Sequence, residues 1–301
     1  MNFLEKKFGL KKENTKIVLL VVLSLIIFYG MFLFYPIIKG MIGSFYDWTP
    51  LTGGKFEFIG LENYRNLIKQ DAFWISLRNT LIFTMVIVIT RVILGILIAE
   101  GINSVKFFKS FFRTAYFLPV ITALTAISLV WNLIYDPKVG IINGFLSFIG
   151  VNTIGLLWLK SEKTALLSII IMSIWRDVGF AVVLYLAGLS TISKNYYEAA
   201  QIDGAKPLQV LRYIKLPLLK QTTTFVVLTG TIWSLQVFTQ VFYMTQGGPG
   251  SATSTVVYLV YMEAFQNWRF GYASAITQVL FVIILIISLI QFYIMRKGWN
   301  I

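Results

Sequence analysis

Tyr197 to Pro217 reads YEAAQIDGAKPLQVLRYIKLP, the most polar and basic segment in the second half of a strongly apolar chain. It lies between two apolar runs long enough to cross a bilayer. Glu198-Ala199-Ala200-Gln201 joins strong helix formers. Gly204 can take the left-handed conformation that stops a helix, and Pro207 suits the first turn of a new one. Val210, Leu211, Ile214 and Leu218 then recur at three- and four-residue spacing, with Arg212 and Lys215 between them. The stretch predicts a short helix, a break centred on Gly204 and a second short helix that ends near Pro217.

The remainder of the chain sets the solvent. Of 301 residues, 57% are hydrophobic and 13% charged, and the mean hydropathy is +0.76. A soluble domain carries roughly 25% charged residues, so this composition implies an all-α polytopic membrane protein. The net charge of +13 would point to nucleic acid in a soluble protein. On short loops between apolar spans it is a topology signal instead, and no nucleic-acid partner is expected. The chain has no Cys and no His, which removes disulfides, thiol chemistry and the usual zinc and haem ligands; no metal site is expected. Ile17–Ile38 is too long for the apolar core of a cleaved leader and has no convincing small-residue cleavage site after it, so it reads as an uncleaved first span.

Six candidate spans are expected, Ile17–Ile38, Asn79–Ala99, Ala115–Ile134, Thr164–Leu189, Thr222–Thr245 and Tyr272–Met295, each of about 20 residues or more as a ~30 Å hydrocarbon core requires. With the N-terminus inside, cytoplasmic segments hold 15 Lys and Arg against nine on the other face, while acidic residues lean outward. This bias places both termini, and Tyr197–Pro217, in the cytoplasm. The expected organisation is a cytoplasmic segment 1–16, a transmembrane domain 17–295 and a cytoplasmic tail 296–301. Within the domain lie external loops 40–78 and 246–271 and a cytoplasmic loop 190–221.

The external loops carry their own signals. Trp48 and Trp74 suit the membrane interface, and Leu61–Leu67 and Asp71–Leu77 are expected as short surface helices. Gly247-Gly248-Pro249-Gly250 reads as a turn. It lacks the Gly-Lys-Ser/Thr ending of a phosphate-cradling loop, and no such ATP-binding signature occurs elsewhere. Val256–Ala264 is an apolar run that could re-enter the membrane or pack beneath the outer surface.

Two sets of polar residues fall inside the spans. Arg91, Arg176 and Asp177 are charges in apolar surroundings, which makes them functional candidates. Arg176 and Asp177 are adjacent and so point about 100° apart on a helix. Arg91 and Asp177 lie about 12 and 13 residues from the outer ends of their spans, which predicts an interhelical pair at matching depth; a structural bridge or a snorkelling arginine is the alternative. In the fifth span Trp233, Gln236, Gln240 and Tyr243 are spaced to share one helix face. Rings covering the apolar faces of pyranose units, with amides on their hydroxyls, would suit a carbohydrate, and interhelical hydrogen bonding is the competing role. Trp175, Tyr185 and Gln278 are further candidates for the same path.

At Glu198–Pro217 the chain resembles the inner-membrane permease subunit of binding-protein-dependent ABC importers. Their cytoplasmic loop runs EAA, then DGA, then Ile-x-Leu-Pro. Here these are Glu198-Ala199-Ala200, Asp203-Gly204-Ala205 and Ile214-Lys215-Leu216-Pro217. Leu208 and Leu211 depart from the pattern, since many relatives carry aromatic residues there. Phe117-Leu118-Pro119, Thr245–Gly250 and Phe270–Ala275 look like the carbohydrate-uptake branch, the maltose-type and glycerol-phosphate-type permeases.

The resemblance implies a polytopic fold of about six transmembrane helices with a cytoplasmic coupling-helix loop, in a bacterial or archaeal cytoplasmic membrane. It implies a second, related permease, two cytoplasmic ATP-binding subunits that use ATP and Mg, and an extracytoplasmic solute-binding protein that delivers a sugar. This chain would bind no cofactor and catalyse no reaction. Glu198 would pair with a basic residue of the ATPase, Gly204 would make the bend, and Leu211, Ile214, Leu216 and Pro217 would complete the docking helix. An ion-coupled secondary transporter is the alternative, but it needs repeat-related broken helices and intramembrane acids. No internal repeat is evident, and Asp177 is the one acid inside an expected span. A membrane-embedded enzyme is disfavoured by the missing His and Cys.

Overall fold

The computed structural model describes residues 12–49, 56–105, 107–153 and 155–296. The expected N-terminal segment falls mostly outside the described residues, as does the tail beyond Arg296. Among the described residues four helices are long and apolar enough to cross a membrane, Lys16–Gly43, Asp71–Ser104, Ala165–Ser190 and Phe270–Arg296. A fifth crossing exists if the pair Lys109–Ile121 and Leu124–Ile134, bent by 97°, counts as one span.

The described chain divides into two units: residues 1–67 with 263–278, and residues 68–262 with 279–301. In the first, α1 (Lys12–Tyr29) passes through a π turn, Gly30–Phe34, into α2 (Tyr35–Gly43). The turn has a local cause. Pro36 has no N–H, and its ring would strike the carbonyl four residues back, so widening the preceding turn relieves the clash. An antiparallel hairpin follows, β1 (Tyr46–Trp48) and β2 (Phe56–Phe58), with Asp47 opposite Glu57. Trp48 stacks on Phe56 with ring centroids 5.3 Å apart. The short helix expected at Leu61–Leu67 is α3 (Glu62–Lys69). Asn63 fastens it by donating from Nδ2 to the carbonyls of Ser44 and Tyr46, at 2.9 and 3.1 Å.

The second unit is built around α4 (Asp71–Ser104). At ~1.5 Å per residue this helix is far longer than a bilayer core is thick. Its first two turns are Asp71–Leu77, which corrects the expectation of a separate surface helix there. Next come α5 (Lys109–Ile121), α6 (Leu124–Ile134), α7 (Ile141–Phe148) and α8 (Ala165–Ser190). The continuous third span expected at Ala115–Ile134 is therefore broken. Pro119 sits inside α5, Thr122 and Ala123 are extended, and Thr122 Oγ1 donates to the Leu118 carbonyl at 2.9 Å.

Helix α8 packs against α4 and α5. At the α5 crossing Gly179 has no room for a side chain, since a Cβ there would stand 1.9 Å from the Tyr116 carbonyl oxygen. Phe83, Ile87, Ile127, Ile169, Met172 and Val241 form one apolar core, and Ala99, Val178, Val182, Tyr185, Leu189 and Val226 form a second nearer the far end of α4.

Helices α9 (Lys194–Ile202), α10 (Pro207–Val210) and α11 (Leu216–Leu218) follow α8 and lead into α12 (Lys220–Leu235). The fifth expected span then breaks and resumes as α13 (Thr239–Met244). Gly247-Gly248-Pro249-Gly250 is a turn, closed by the Gly248 N–H on the Thr245 carbonyl. The apolar run after it contains α14 (Val256–Tyr261), packed against α4, where the Val256 N–H donates to Thr80 Oγ1 at 3.0 Å. Helix α15 (Phe270–Arg296) closes the chain.

Candidate functional site

Two regions of the second unit carry the chemistry. The first is the loop 190–221. Ser193 caps α9 by accepting from the Asn195 N–H. At the far end Gly204 lies at φ +68. The Ala205 N–H reaches back to the Ala200 carbonyl at 2.9 Å and the Gly204 N–H to the Gln201 carbonyl at 3.1 Å. These two bonds with a left-handed glycine are a Schellman ending, which satisfies the last carbonyls of the helix and turns the chain sharply. Pro207 then opens α10, while the Lys206 N–H donates to the Gln209 amide oxygen at 2.7 Å.

A second π turn, Leu211–Lys215, precedes Pro217 and gives its ring room. The second helix ends at Leu218, one residue past Pro217. Glu198, Ala199, Asp203, Leu216 and Pro217 are exposed, Ala200 is buried, and Ala205, Leu211 and Ile214 are half-buried. Ile202, Leu208 and Tyr213 are 86%, 73% and 68% exposed. That is a large apolar display for a loop expected to face water.

Lys215 is buried, and it ion-pairs with Glu100 near the end of α4 while lying over the Tyr197 ring at 5.4 Å. Burial and the nearby Glu100 both raise the Tyr197 phenol above its usual range. The sequence places Lys215 on the second helix and counts it as a topology charge, with no partner assigned. Its partner is 115 positions away, a separation at which a single sequence carries no pairing signal.

The second region is a cavity of about 450 Å³ lined from α4, α5, α8 and the α12–α13 break. Arg91, Arg176, Asp177, Phe180, Trp233, Gln236 and Gln240 all face it. The expected Arg91–Asp177 ion pair is replaced by a different pairing. Arg176 Nη1 reaches Asp177 Oδ1 at 2.5 Å. Adjacent Cα–Cβ vectors diverge, but the arginine side chain is long enough to fold back on its neighbour. Arg91 instead lies over two rings, 5.0 Å from the centroid of Phe180 and 5.3 Å from that of Trp233. The rings meet edge to face at 5.1 Å. Arg91 is 3% exposed, and its Nε and Nη2 have no hydrogen-bond partner among the described residues.

The proposed single face of Trp233, Gln236, Gln240 and Tyr243 is also corrected. The helix stops at Leu235, and Gln236 and Phe238 leave helical geometry. No Gly or Pro marks the place. Side chains replace the lost main-chain bonds: Gln236 Nε2 donates to the Ile232 carbonyl at 2.9 Å, and Thr255 Oγ1 to the Val237 carbonyl at 2.9 Å. Broken helices at membrane depth are tolerated where they line a cavity and their backbone is satisfied again. Gln240 is buried and donates to Ser173 Oγ at 3.3 Å.

Tyr243 lies away from the cavity lining, with its carbonyl accepting from Asn132 Nδ2. Tyr185 is fully buried in the second apolar core and donates to Thr223 Oγ1 at 3.3 Å. Trp175 packs on Trp131 at 5.6 Å. Gln278 is half-buried on α15 in the other unit.

Residues 91–298 match the family model described as "binding-protein-dependent transport system inner membrane component". The chain is 33% identical over 270 residues to the probable ABC transporter permease protein YurN of Bacillus subtilis, covering 89% of this chain and 92% of that one. It is 32% identical over 270 residues to the multiple sugar-binding transport system permease protein MsmF of Streptococcus mutans (89% and 91% covered). It is 32% identical over 272 residues to the lactose transport system permease protein LacF of Rhizobium radiobacter (89% and 90% covered). A chain of the crystal structure of a bacterial alginate ABC transporter, in complex with an alginate pentasaccharide-bound periplasmic protein, superposes with a TM-score of 0.84 over 96% of both chains at 22% identity.

Proposed function

We infer the function from one premise: this chain belongs to the family of binding-protein-dependent transport system inner membrane components. It is the permease subunit of an ABC importer, and it supplies a membrane path rather than a catalytic centre. With a second, related permease it forms the route for a sugar or oligosaccharide handed over by an extracytoplasmic binding protein. Relatives named for multiple sugars, lactose and arabinooligosaccharides support a carbohydrate. Two cytoplasmic subunits hydrolyse ATP, with Mg, and drive the cycle.

What carries this reading is the shape of Glu198–Pro217. A helix, a Schellman turn at Gly204 and a second helix present Ile202, Leu208 and Tyr213 to the outside. Such apolar exposure on a cytoplasmic loop calls for a protein groove. Glu198, Asp203 and the short docking helix Leu211–Pro217 meet the ATP-hydrolysing subunit. Closure of that subunit on ATP is passed through the loop to the spans. In this arrangement the chain crosses the membrane six times, with α5–α6 and α12–α13 as broken spans and both termini in the cytoplasm. Trp233, Gln236 and Gln240 border the sugar path.

The test is uptake of radiolabelled oligosaccharide into proteoliposomes holding the four-subunit complex. Uptake must require both the binding protein and internal ATP. Uptake that persists without ATP and collapses with an ion gradient would establish the secondary-transporter alternative.

A further inference from the structure

The cavity between α4, α5, α8 and the α12–α13 break is lined by two cations, Arg91 and Arg176, and a single acid, Asp177. Asp177 pairs with Arg176 at 2.5 Å and also attracts Arg91 through space, so one negative charge serves two cations. Arg91 remains, 3% exposed, with Nε and Nη2 unpartnered among the described residues. A cation in apolar surroundings with only a shared counter-charge is among the costliest groups a membrane protein can hold. Stacking on Phe180 and Trp233 offsets part of the cost, because ring faces attract cations. It leaves the guanidinium's in-plane donors empty. A guanidinium edge can take both oxygens of one carboxylate.

We propose that this cavity takes an acidic saccharide, a sugar whose ring carries a carboxylate, and that Arg91 on its wall is the group that receives that carboxylate. This rests on the reading of the cavity as the sugar path and names the substrate class for it. About 450 Å³ is enough for one or two sugar rings. Trp233, half out of the protein and edge-to-face with Phe180, covers the apolar face of the ring. The Arg91 charge is held on the wall of the cavity by Phe180 and Trp233, so it is pre-oriented before the sugar arrives. Recognition by a buried polar group also rejects the analogue that lacks the matching partner, because the donors are then stranded.

The probes are digalacturonate and its methyl diester, which have the same rings and differ in charge. Binding is measured by calorimetry to the complete importer in nanodiscs. The acid binds at least tenfold more tightly than the ester. Arg91→Gln abolishes that preference, and Arg91→Lys, which keeps the charge but loses the fork, restores part of it. Thermal unfolding of each variant complex verifies that it is assembled.

Equal binding of acid and ester overturns the proposal and leaves the sugar path intact. A preference that survives Arg91→Gln overturns it too. Failure of both probes to bind overturns it as well, and if Trp233→Ala also leaves oligosaccharide uptake normal, the sugar path itself is wrong.

Discussion

Lys215 in the loop 190–221 forms an ion pair with Glu100 on the last turns of α4, and Tyr197 closes over the same ammonium. The loop is thereby fastened to the helix whose middle carries Arg91. A push on the loop reaches α4 through a charged contact as well as through the chain between them.

Breaking that contact is expected to uncouple more than it unfolds. Lys215→Met and Glu100→Gln each remove a charge-assisted hydrogen bond that is largely shielded from water, at a cost of about 1–3 kcal/mol. Oligosaccharide uptake per ATP hydrolysed should fall several-fold in proteoliposomes, with ATPase activity retained. The reversal Lys215→Glu with Glu100→Lys should recover most of the ratio. A ratio unchanged in both single variants would make the contact purely structural.

Gly204 gives the sharpest prediction for the loop. At φ +68 a β-branched residue is strained by about 1–3 kcal/mol, and the Schellman ending opens. Gly204→Val should abolish uptake while the binding protein keeps its affinity for sugar. Gly204→Asn, which tolerates the left-handed region, should retain a substantial fraction. Space is not the cause, since nothing lies within 4 Å of a Cβ there.

These predictions rest on features of very different legibility. The loop could be read because its instructions are local: helix formers at Glu198–Gln201, a glycine at the turn, a proline at the next start. The long spans were legible from hydropathy alone. The break at Gln236–Phe238 was not, because the residues that permit it are remote or ambiguous. Thr255 supplies a donor from another segment, and Gln236 looks the same in sequence whether it binds a sugar or its own helix. The hairpin at Tyr46–Phe58 escaped because its strands have three residues each, too short for a period to register. Arg176–Asp177 was missed by reasoning from Cβ directions alone, which leaves out the reach of a long side chain.

Gln236 has a structural job that a binding assay alone would misread. Its amide replaces a main-chain donor on the Ile232 carbonyl. Gln236→Leu should therefore lower stability by about 0.5–1.5 kcal/mol, read as a drop in the unfolding temperature of the solubilised complex. Thr255→Val, which removes the donor to the Val237 carbonyl from the other side of the break, should produce a similar drop. If Gln236→Leu lowers uptake with no thermal shift, the amide serves the sugar rather than the helix.

Close packing of α5 on α8 provides the last prediction. A Cβ on Gly179 would sit 1.9 Å from the Tyr116 carbonyl oxygen, a backbone atom with no rotamer to escape through. Gly179→Ala must move α5 outward by roughly an ångström or more, a strain of about 1–3 kcal/mol as for other overpacked cores. Phe117 and Val120 on α5 line the cavity, so the same movement should widen it and depress uptake beyond what the lost stability explains. Gly101, on α4, is the control. Nothing lies within 4 Å of a Cβ there, and Gly101→Ala should leave the unfolding temperature unchanged or raise it slightly, because alanine stabilises a helix relative to glycine. A large thermal loss in Gly179→Ala beside an unaffected Gly101→Ala places the constraint at the α5–α8 crossing; equal behaviour of the two would remove it.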